Sequence, residues 1–578
     1  MRKSTLLACS AGLLLAACSD DSTRTDVDAD SIGTTIGIDT GTESVGTEST
    51  SSDSTTTDTT DTTTDTTATD TTTDTTTTDS TDTTTDTTET GDPCGPECCP
   101  GEFKCEGEIS LVCNGDGTDW EENEVCDPVQ GVNCNPNFGV CEGACSQDAI
   151  GLSYIGCDYY PTVTQQYDYY NTAPANEYAV SVANAGNEDA MVTITRGNAM
   201  VYDTVVPAGQ VSVITLPWVD ALTKTTGPSV LVADGAYRLR SDRPVVVYQY
   251  NPLAASVTND ASILLPVNAW GQASMVASLP YWANYDLVGF YTVTASEDNT
   301  TVTLTPGPQS GTTKAGGGVA ANGTGQVVLN QSDVLEVVTG SGDLSGTLVS
   351  ADKPIQVISG HECTNVPINI PACDHLEESM YPIDTLAKDY IIVPPVQVPN
   401  TNQLKAQIVR IMAVADNTQI TFTPDQGANQ VLNAGQFFDL PMGTNAYRVS
   451  GSEPFMAVQF MVGQGAGFGT SDPAMLLSVP TAQFRQNYLF FAATNWVANF
   501  VDIIAPAGAT VTVDGANVNA WTPVGATGFS VAHVQLSNAG NGNHTVNANQ
   551  KVGISVYGVQ DYGSYWYPGG LDLTINPQ

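Results

Sequence analysis

Four histidines and fourteen cysteines are the side chains of this sequence best equipped to bind a metal or to react. Two of each fall in one stretch, where His361, Cys363, Cys373 and His375 stand symmetrically about the nine residues 364–372. Imidazole and thiolate are the usual ligands of tetrahedral zinc, so a metal site can be drawn from these four. The competing reading is a Cys363–Cys373 disulfide that closes the loop, with the histidines packed or hydrogen-bonded beside it. In an oxidising compartment the disulfide is the expected outcome, so neither metal nor cofactor is expected.

Other chemistry is thinly represented. There is no Gly-x-Ser-x-Gly elbow, no His-Glu-x-x-His helix and no glycine-rich phosphate loop. Gly463-Gln464-Gly465-Ala466-Gly467 looks superficially like a dinucleotide motif, but no helix pattern follows it, so it reads as a loop. Asn114 to Glu121 carries oxygen ligands and glycines without the register of an EF-hand, and reads as a hairpin loop between Cys113 and Cys126. Catalysis is not expected, and an extracellular hydrolase is the least favoured alternative.

The compartment is set by the first residues. Met1-Arg2-Lys3-Ser4 is followed by an apolar run from Thr5 to Ala17, the grammar of an export signal and too short to span a bilayer. Leu15-Ala16-Ala17-Cys18 resembles the lipobox of bacterial lipoproteins, which implies a signal peptide 1–17 and a mature chain that begins at a lipidated Cys18. Acyl chains contribute on the order of 0.8 kcal/mol per buried methylene, enough for a firm membrane tether. The expected location is the cell envelope, on the outer membrane and cell surface.

Residues 18–92 are almost wholly Thr, Ser, Asp and Gly. With 19 acids against Arg24 alone from Ser19 to Asp92, the tract repels itself, has little to bury, and reads as a disordered stalk. Residues 93–158 hold 13 acids against Lys104 alone, so −30 of the chain's net −46 lies in these two segments. Such charge opposes nucleic-acid binding.

The second segment also holds Cys94, Cys98, Cys99, Cys105, Cys113, Cys126, Cys134, Cys141, Cys145 and Cys157. A segment so small and polar needs cross-links in place of a core. Without Cys9, lost with the signal, and Cys18, twelve cysteines remain, an even number that reads as six disulfides; connectivity among the ten is open.

From Tyr159 to Gln578 the pattern is all-β: Val, Thr, Tyr and Ile in short runs between Gly and Pro, with no helical period. Short alternating strands recur at Ala190–Ile194, Thr301–Thr305, Gln419–Thr423 and Ala509–Val513, spaced by 110, 118 and 91 residues from Val192 to Val302 to Ile420 to Val511. A second signature follows each. It is Ser241-Asp242-Arg243-Pro244, then Ala351-Asp352-Lys353-Pro354, Ser452-Glu453-Pro454 and, weaker, Asn549-Gln550-Lys551, each before an apolar run. It reads as a turn at the entrance of a central strand. A repeat of this size suits a sandwich, so the expected fold is a tandem array of about four β-sandwich-like units, near 178–288, 289–406, 407–498 and 499–573. A β-propeller is the alternative.

The stretch Ser359-Gly360-His361-Glu362-Cys363-Thr364-Asn365-Val366-Pro367, with Ala372-Cys373-Asp374-His375-Leu376-Glu377-Glu378, resembles the N-terminal domain of IgGFc-binding proteins. Glu297 to Thr301, Asp260 to Pro266 and Tyr562 to Gly570 support the resemblance, which covers roughly 159–573. It implies an extracellular recognition or adhesion role toward a protein or glycan, with no immunoglobulin contact to be matched here. A structural envelope or matrix component without a soluble ligand is the second expectation. The aromatic runs Tyr154 to Tyr170 and Tyr557 to Tyr567 suit binding surfaces and strand packing alike, and packing is the preferred reading.

Overall fold

The computed structural model describes residues 94–167, 178–223, 227–253 and 258–577. The expected signal peptide, Cys18 and the stalk lie outside them. The described chain is β throughout; among these residues the only α-helices are Gln147–Ile150 and Asp220–Thr223, one turn each. No helix among them is long and apolar enough to cross a membrane.

One strand plan is drawn four times. The first strand of each unit is Tyr178–Ala183, Gly289–Ala295, Gln407–Ala413 or Ala498–Pro506. A tight turn leads to the second, Ala190–Arg196, Thr300–Thr305, Thr418–Thr423 or Val511–Val513. In the two units whose sequences match best, the turn is made by Asn299 and Asn417 at φ 56° and 58°. Asparagine tolerates that left-handed conformation better than other side chains, which explains the shared Asp-Asn-Thr.

The proline signature needs a correction. It does not open a strand in the first two units: Pro244 and Pro354 lie inside the continuous strands Arg238–Tyr250 and Leu348–Asn365. The weaker fourth signature lies inside Asn543–Gln560 in the same way. Each of these long strands crosses from one half of the unit to the other. Ser241 pairs with Val192 of the second strand, and Val246 with Ala183 of the first. Ala351 pairs with Val302, and Ile355 with Ala295. Proline sits at the crossing, where no ladder partner asks for its missing N–H. Only the third unit breaks there, into Tyr447–Gly451 and Phe455–Met461, and so forms two separate four-stranded sheets.

The polar residue of the signature has the same task in all four units, receiving the main-chain N–H at the head of the second strand. Asp242 accepts from Met191 (2.7 Å), Asp352 from Thr301 (2.7 Å), Ser452 from Gln419 (2.9 Å) and Asn549 from Thr510 (2.8 Å). An acceptor here satisfies a donor that the crossing strand cannot reach.

Each unit ends in a last strand, Ala261–Leu264, Cys373–Ser379, Met475–Leu477 or Gly563–Pro568, paired to the far half of its crossing strand. These four strands pack against one another in a circuit, first to second to third to fourth and back to first. The tandem repeat is therefore closed on itself. Closure is visible at the chain ends too: Ser153 bridges Asp572, and the Tyr248 hydroxyl donates to Gly569 O (2.8 Å). Tyr250, Phe491, Tyr565 and Tyr567 stack between the first and fourth units. The described members of the aromatic runs thus serve mainly as core, with Tyr154, Tyr159, Tyr160, Tyr557 and Trp566 fully buried. Losing one such ring costs about 3–5 kcal/mol.

The cysteine-rich segment is a three-stranded sheet, Phe103–Glu106, Ile109–Cys113 and Trp120–Val125, and a hairpin of Asn133–Asn135 with Val140–Glu142. Residues 114–119 connect two strands of that sheet. The segment is fastened to the first unit by Cys145–Cys157, whose second sulfur lies in the strand Gly156–Tyr159, and by Arg240 Nη1 to Asp127 Oδ2 at 3.1 Å.

Candidate functional site

The centre of the circuit is polar, which is unusual for a region so deeply buried. Asp260, at the head of the first unit's last strand, is fully buried and accepts main-chain N–H groups from all four last strands. Oδ1 receives Ala261 (2.9 Å) and Trp566 (3.0 Å), and Oδ2 receives Met475 (3.0 Å) and Glu377 (3.4 Å). Burial pushes its carboxyl well above the usual range, against the pull of those N–H groups. Asp374, in the second unit's last strand, accepts from Asn259 N (2.6 Å) and Ser564 N (3.2 Å). Asp472, ahead of the third unit's last strand, is raised to about 7 by burial, and burial lowers Lys405, with which it interacts, to about 7. Asp260 and Asp374 satisfy main-chain donors, a structural task, and among the described residues no group of three or more potential ligands is arranged to hold a metal.

Above this centre the loops that precede the last strands converge. The second unit supplies Pro371 and Ala372, the third Gln464, Gly465, Gly469 and Thr470, and the fourth Tyr562; together they line a cleft of about 540 Å³. The loops interlock rather than merely meet. Gly463 N donates to Val366 O (3.1 Å), Thr470 N to Val398 O (2.8 Å), Tyr562 N to Gln464 Oε1 (3.2 Å), and Gln464 Nε2 to Asp561 Oδ1 (3.1 Å). A Cβ at Gly465 would stand 2.1 Å from Pro371 O, so only glycine permits this approach.

Cys363 and Cys373 are joined in a disulfide, which braces the second unit's loop at the mouth of the cleft. With both sulfurs in that bond, the four-ligand zinc drawing is not available. His361 is fully buried, takes Cys363 N on Nδ1 (3.2 Å), and is lowered by burial to about 3. His375 is buried beside Thr164, Asn251 and Glu377. The other five bonds are Cys94–Cys99, Cys98–Cys113, Cys105–Cys134, Cys126–Cys141 and Cys145–Cys157.

Two further histidines pair with carboxylates, His533 with Asp502 and His544 with Asp514, both at 2.7 Å. No serine or cysteine among the described residues hydrogen-bonds to either ring, so neither pair is set up to activate a nucleophile. Asp502 instead also accepts the Tyr557 hydroxyl (3.0 Å), which in turn receives Val396 N (3.1 Å), binding the third unit to the fourth. The cleft was not foreseen from sequence. Its one sequence signal is Tyr562, an exposed tyrosine in a run whose other members are core.

Six disulfides on an all-β scaffold whose loops are gathered at one face define a class, the repeat-built extracellular-type domains of exported proteins. Within that class the chain belongs to the IgGFc binding protein family, whose pattern it matches over residues 260–558, a little more than half its length. The match runs from Asp260 to Gly558, inside the crossing strand of the fourth unit. It is narrower than the 159–573 expected, and most of the first unit falls outside it.

A human IgGFc-binding protein is 23% identical over 329 residues, 56% of this chain but only 6% of the human protein. Two solved structures give weak alignments. A biofilm associated protein BSP domain is 6% identical at TM-score 0.12, covering 72% of this chain and 97% of that one. A tetra-tandem repeat from the extending region of a large adhesion protein is 12% identical at TM-score 0.08, covering 72% and 99%.

Proposed function

We propose that this chain is an exported recognition or adhesion lipoprotein that engages an extracellular protein or glycan through the loop face of the four-unit circuit. Lipid at Cys18 tethers it to the outer membrane, the tract 18–92 spaces it from the surface, and the disulfides hold it against unfolding outside the cell. The observation that carries the reading is the convergence of loops from three units on one disulfide-braced cleft. A rigid scaffold presenting gathered loops is the usual architecture of a binding face, and pre-formed loops lose little entropy on contact. The matched family, named for binding an antibody region, agrees with a binding role and not an enzymatic one; the human relative's ligand is not carried over.

The test is adherence of cells bearing the intact protein to immobilised secreted proteins and glycans. Substitution of Pro371, Gln464 and Tyr562 should lower it, and Cys18→Ser should release the protein from the membrane fraction. Undiminished adherence in the loop variants would count against the face.

A second reading, a self-assembling envelope component, is favoured by one feature. The strand Ala199–Val206 pairs on one side only and exposes Met200 (64%), Tyr202 (43%) and Val205 (50%). Unpaired apolar edges invite strand addition. Sedimentation of the secreted chain across a concentration series separates the two, since assembly without a ligand favours this version.

A further inference from the structure

We infer that the cleft at the head of the four last strands is a saccharide subsite, selective for an uncharged pyranose, with Tyr562 as its stacking platform. The inference deepens the binding role proposed above and rests on it.

The first argument is conformational. Tyr562 occupies a left-handed backbone position, φ 53°, with its side chain 61% exposed. Glycine or asparagine would take that position at lower cost, and a bulky residue there is an outlier that packing must justify. Packing does not justify it, because the ring is presented to solvent. Its neighbours in the same run, Tyr565, Trp566 and Tyr567, are all fully buried. The position is nonetheless held firmly, by the Tyr562 N–H on Gln464 Oε1 (3.2 Å). An exposed ring on a fixed backbone is a platform, and the apolar C–H face of a pyranose is the flat, weakly polarised surface that such a ring stacks upon.

The second argument is the chemistry of the walls. The cleft is lined by an amide, a hydroxyl, a phenol and Pro, Ala and Gly, without one charged side chain. A phosphate, a carboxylate or an ammonium ligand would find no counter-charge in the lining. An aliphatic ligand would find no Leu, Ile, Val or Phe there. What remains matched is a neutral, many-hydroxylated molecule, which needs donors and acceptors in small number and one apolar face. The Thr470 hydroxyl and the main chain bared at Gly465 and Gly469 supply the former. At about 540 Å³ the cleft falls within the range of small-ligand sites.

The third argument is rigidity. One wall is clamped by Cys363–Cys373, and the others are tied by the contacts between Gly463 and Val366 and between Thr470 and Val398. Weak ligands such as single sugars are held only where the site is ordered beforehand.

The experiment uses the intact mature chain and saturation-transfer NMR with the methyl glycosides of glucose, galactose, mannose and N-acetylglucosamine, alongside sialyllactose and an unglycosylated peptide. At least one neutral glycoside should receive magnetisation. Tyr562→Ala should weaken it roughly tenfold or more, Tyr562→Trp should retain it, and Thr470→Val should weaken it several-fold, all without a change in melting temperature. Silence from every neutral glycoside overturns the inference, as does binding confined to sialyllactose or the peptide, or full binding by Tyr562→Ala. Adherence that depends on the loop face but is untouched by competing glycoside removes the saccharide class alone, whereas adherence indifferent to the loops removes the face itself.

Discussion

Asp260 and Trp566 lie 306 positions apart in the chain, yet the main-chain N–H of Trp566 donates to Asp260 Oδ1 at 3.0 Å. This bond spans the closure between first and fourth units. The same carboxylate holds the last strands of the second and third through Glu377 N and Met475 N. One side chain therefore stands in for the ladder that four converging strands cannot make with one another.

The first prediction follows from it. Asp260→Ala strands several buried N–H donors, each costing about 1–3 kcal/mol, so the loss of stability should reach the order of 4 kcal/mol. Asp260→Asn, which keeps one acceptor oxygen, should lose about half as much. Denaturant unfolding measures both, and hydrogen exchange at Met475 and Trp566 should quicken in step. A change below about 1 kcal/mol in the alanine variant would show that the closure does not rest on this group.

The junction of second and third units makes a separate prediction. Arg410, 3% exposed, bonds Asp439 Oδ1 (2.7 Å) and Oδ2 (2.9 Å), Asp343 Oδ2 (2.8 Å), Ser345 Oγ (2.8 Å) and Ser278 O (2.7 Å). Arg410→Ala leaves Asp343 buried without its counter-charge, which should cost about 3–5 kcal/mol. Arg410→Lys should recover only part, because an ammonium cannot reproduce the planar fork toward Asp439. Melting temperatures of the two variants order these outcomes, and equal melting of lysine and arginine forms would contradict the geometric account.

A third prediction concerns the brace. Replacing Cys363 and Cys373 together with serine frees a short loop, with an expected loss of about 2–3 kcal/mol. The larger consequence is functional, since Ala372 and Pro371 line the cleft next to Cys373. Ligand affinity in the double variant should fall more than stability does at the same temperature. Calorimetry and binding on one sample compare the two losses, and an unchanged affinity would show that the loop keeps its shape without the bond.

The fold was legible where the sequence repeats a local physical requirement. Thr301–Thr305 and Gln419–Thr423 announce the recurring alternating strand, and Asp352 with Pro354 announces a recurring polar-proline step. What could not be read was the use to which that step is put. A proline before an apolar run looks the same whether it opens a strand or marks the point where one strand changes sheets, because the difference lies in the partners. The circuit was hidden for the same reason: that Asp260 receives the N–H groups of Glu377, Met475 and Trp566 is a matter of place and not of local sequence. The cleft escaped because its walls are glycine, proline and alanine, residues that read as loop wherever they occur. Tyr562 alone carried a signal, and the aromatic run around it concealed that signal.

The last prediction is a pH profile with opposing parts. His361 sits in the second unit's crossing strand, lowered by burial to about 3 against an ordinary 6.5. Between those values the unfolded chain binds the proton and the native one does not. The contribution is therefore fully present above about pH 6.5 and is lost as pH falls toward 3. Its neighbour Glu362, raised by burial to about 7 from 4.5, acts the other way: there the native state binds the proton, and stability is lost as pH rises from 4.5 to 7. In the overlap, pH 4.5 to 6.5, the two slopes oppose, and below 4.5 that of His361 is left alone. Relative to wild type, His361→Gln should lose less stability on acidification, by an amount on the order of a few kcal/mol at pH 3.5. Glu362→Gln keeps an acceptor for Val288 N, and in it the His361 slope should be relieved of the opposing Glu362 slope between pH 4.5 and 6.5. Unfolding curves at half-unit steps from pH 3.5 to 7.5 test both, and parallel profiles for all three proteins would refute the assignment of the acid limb to His361.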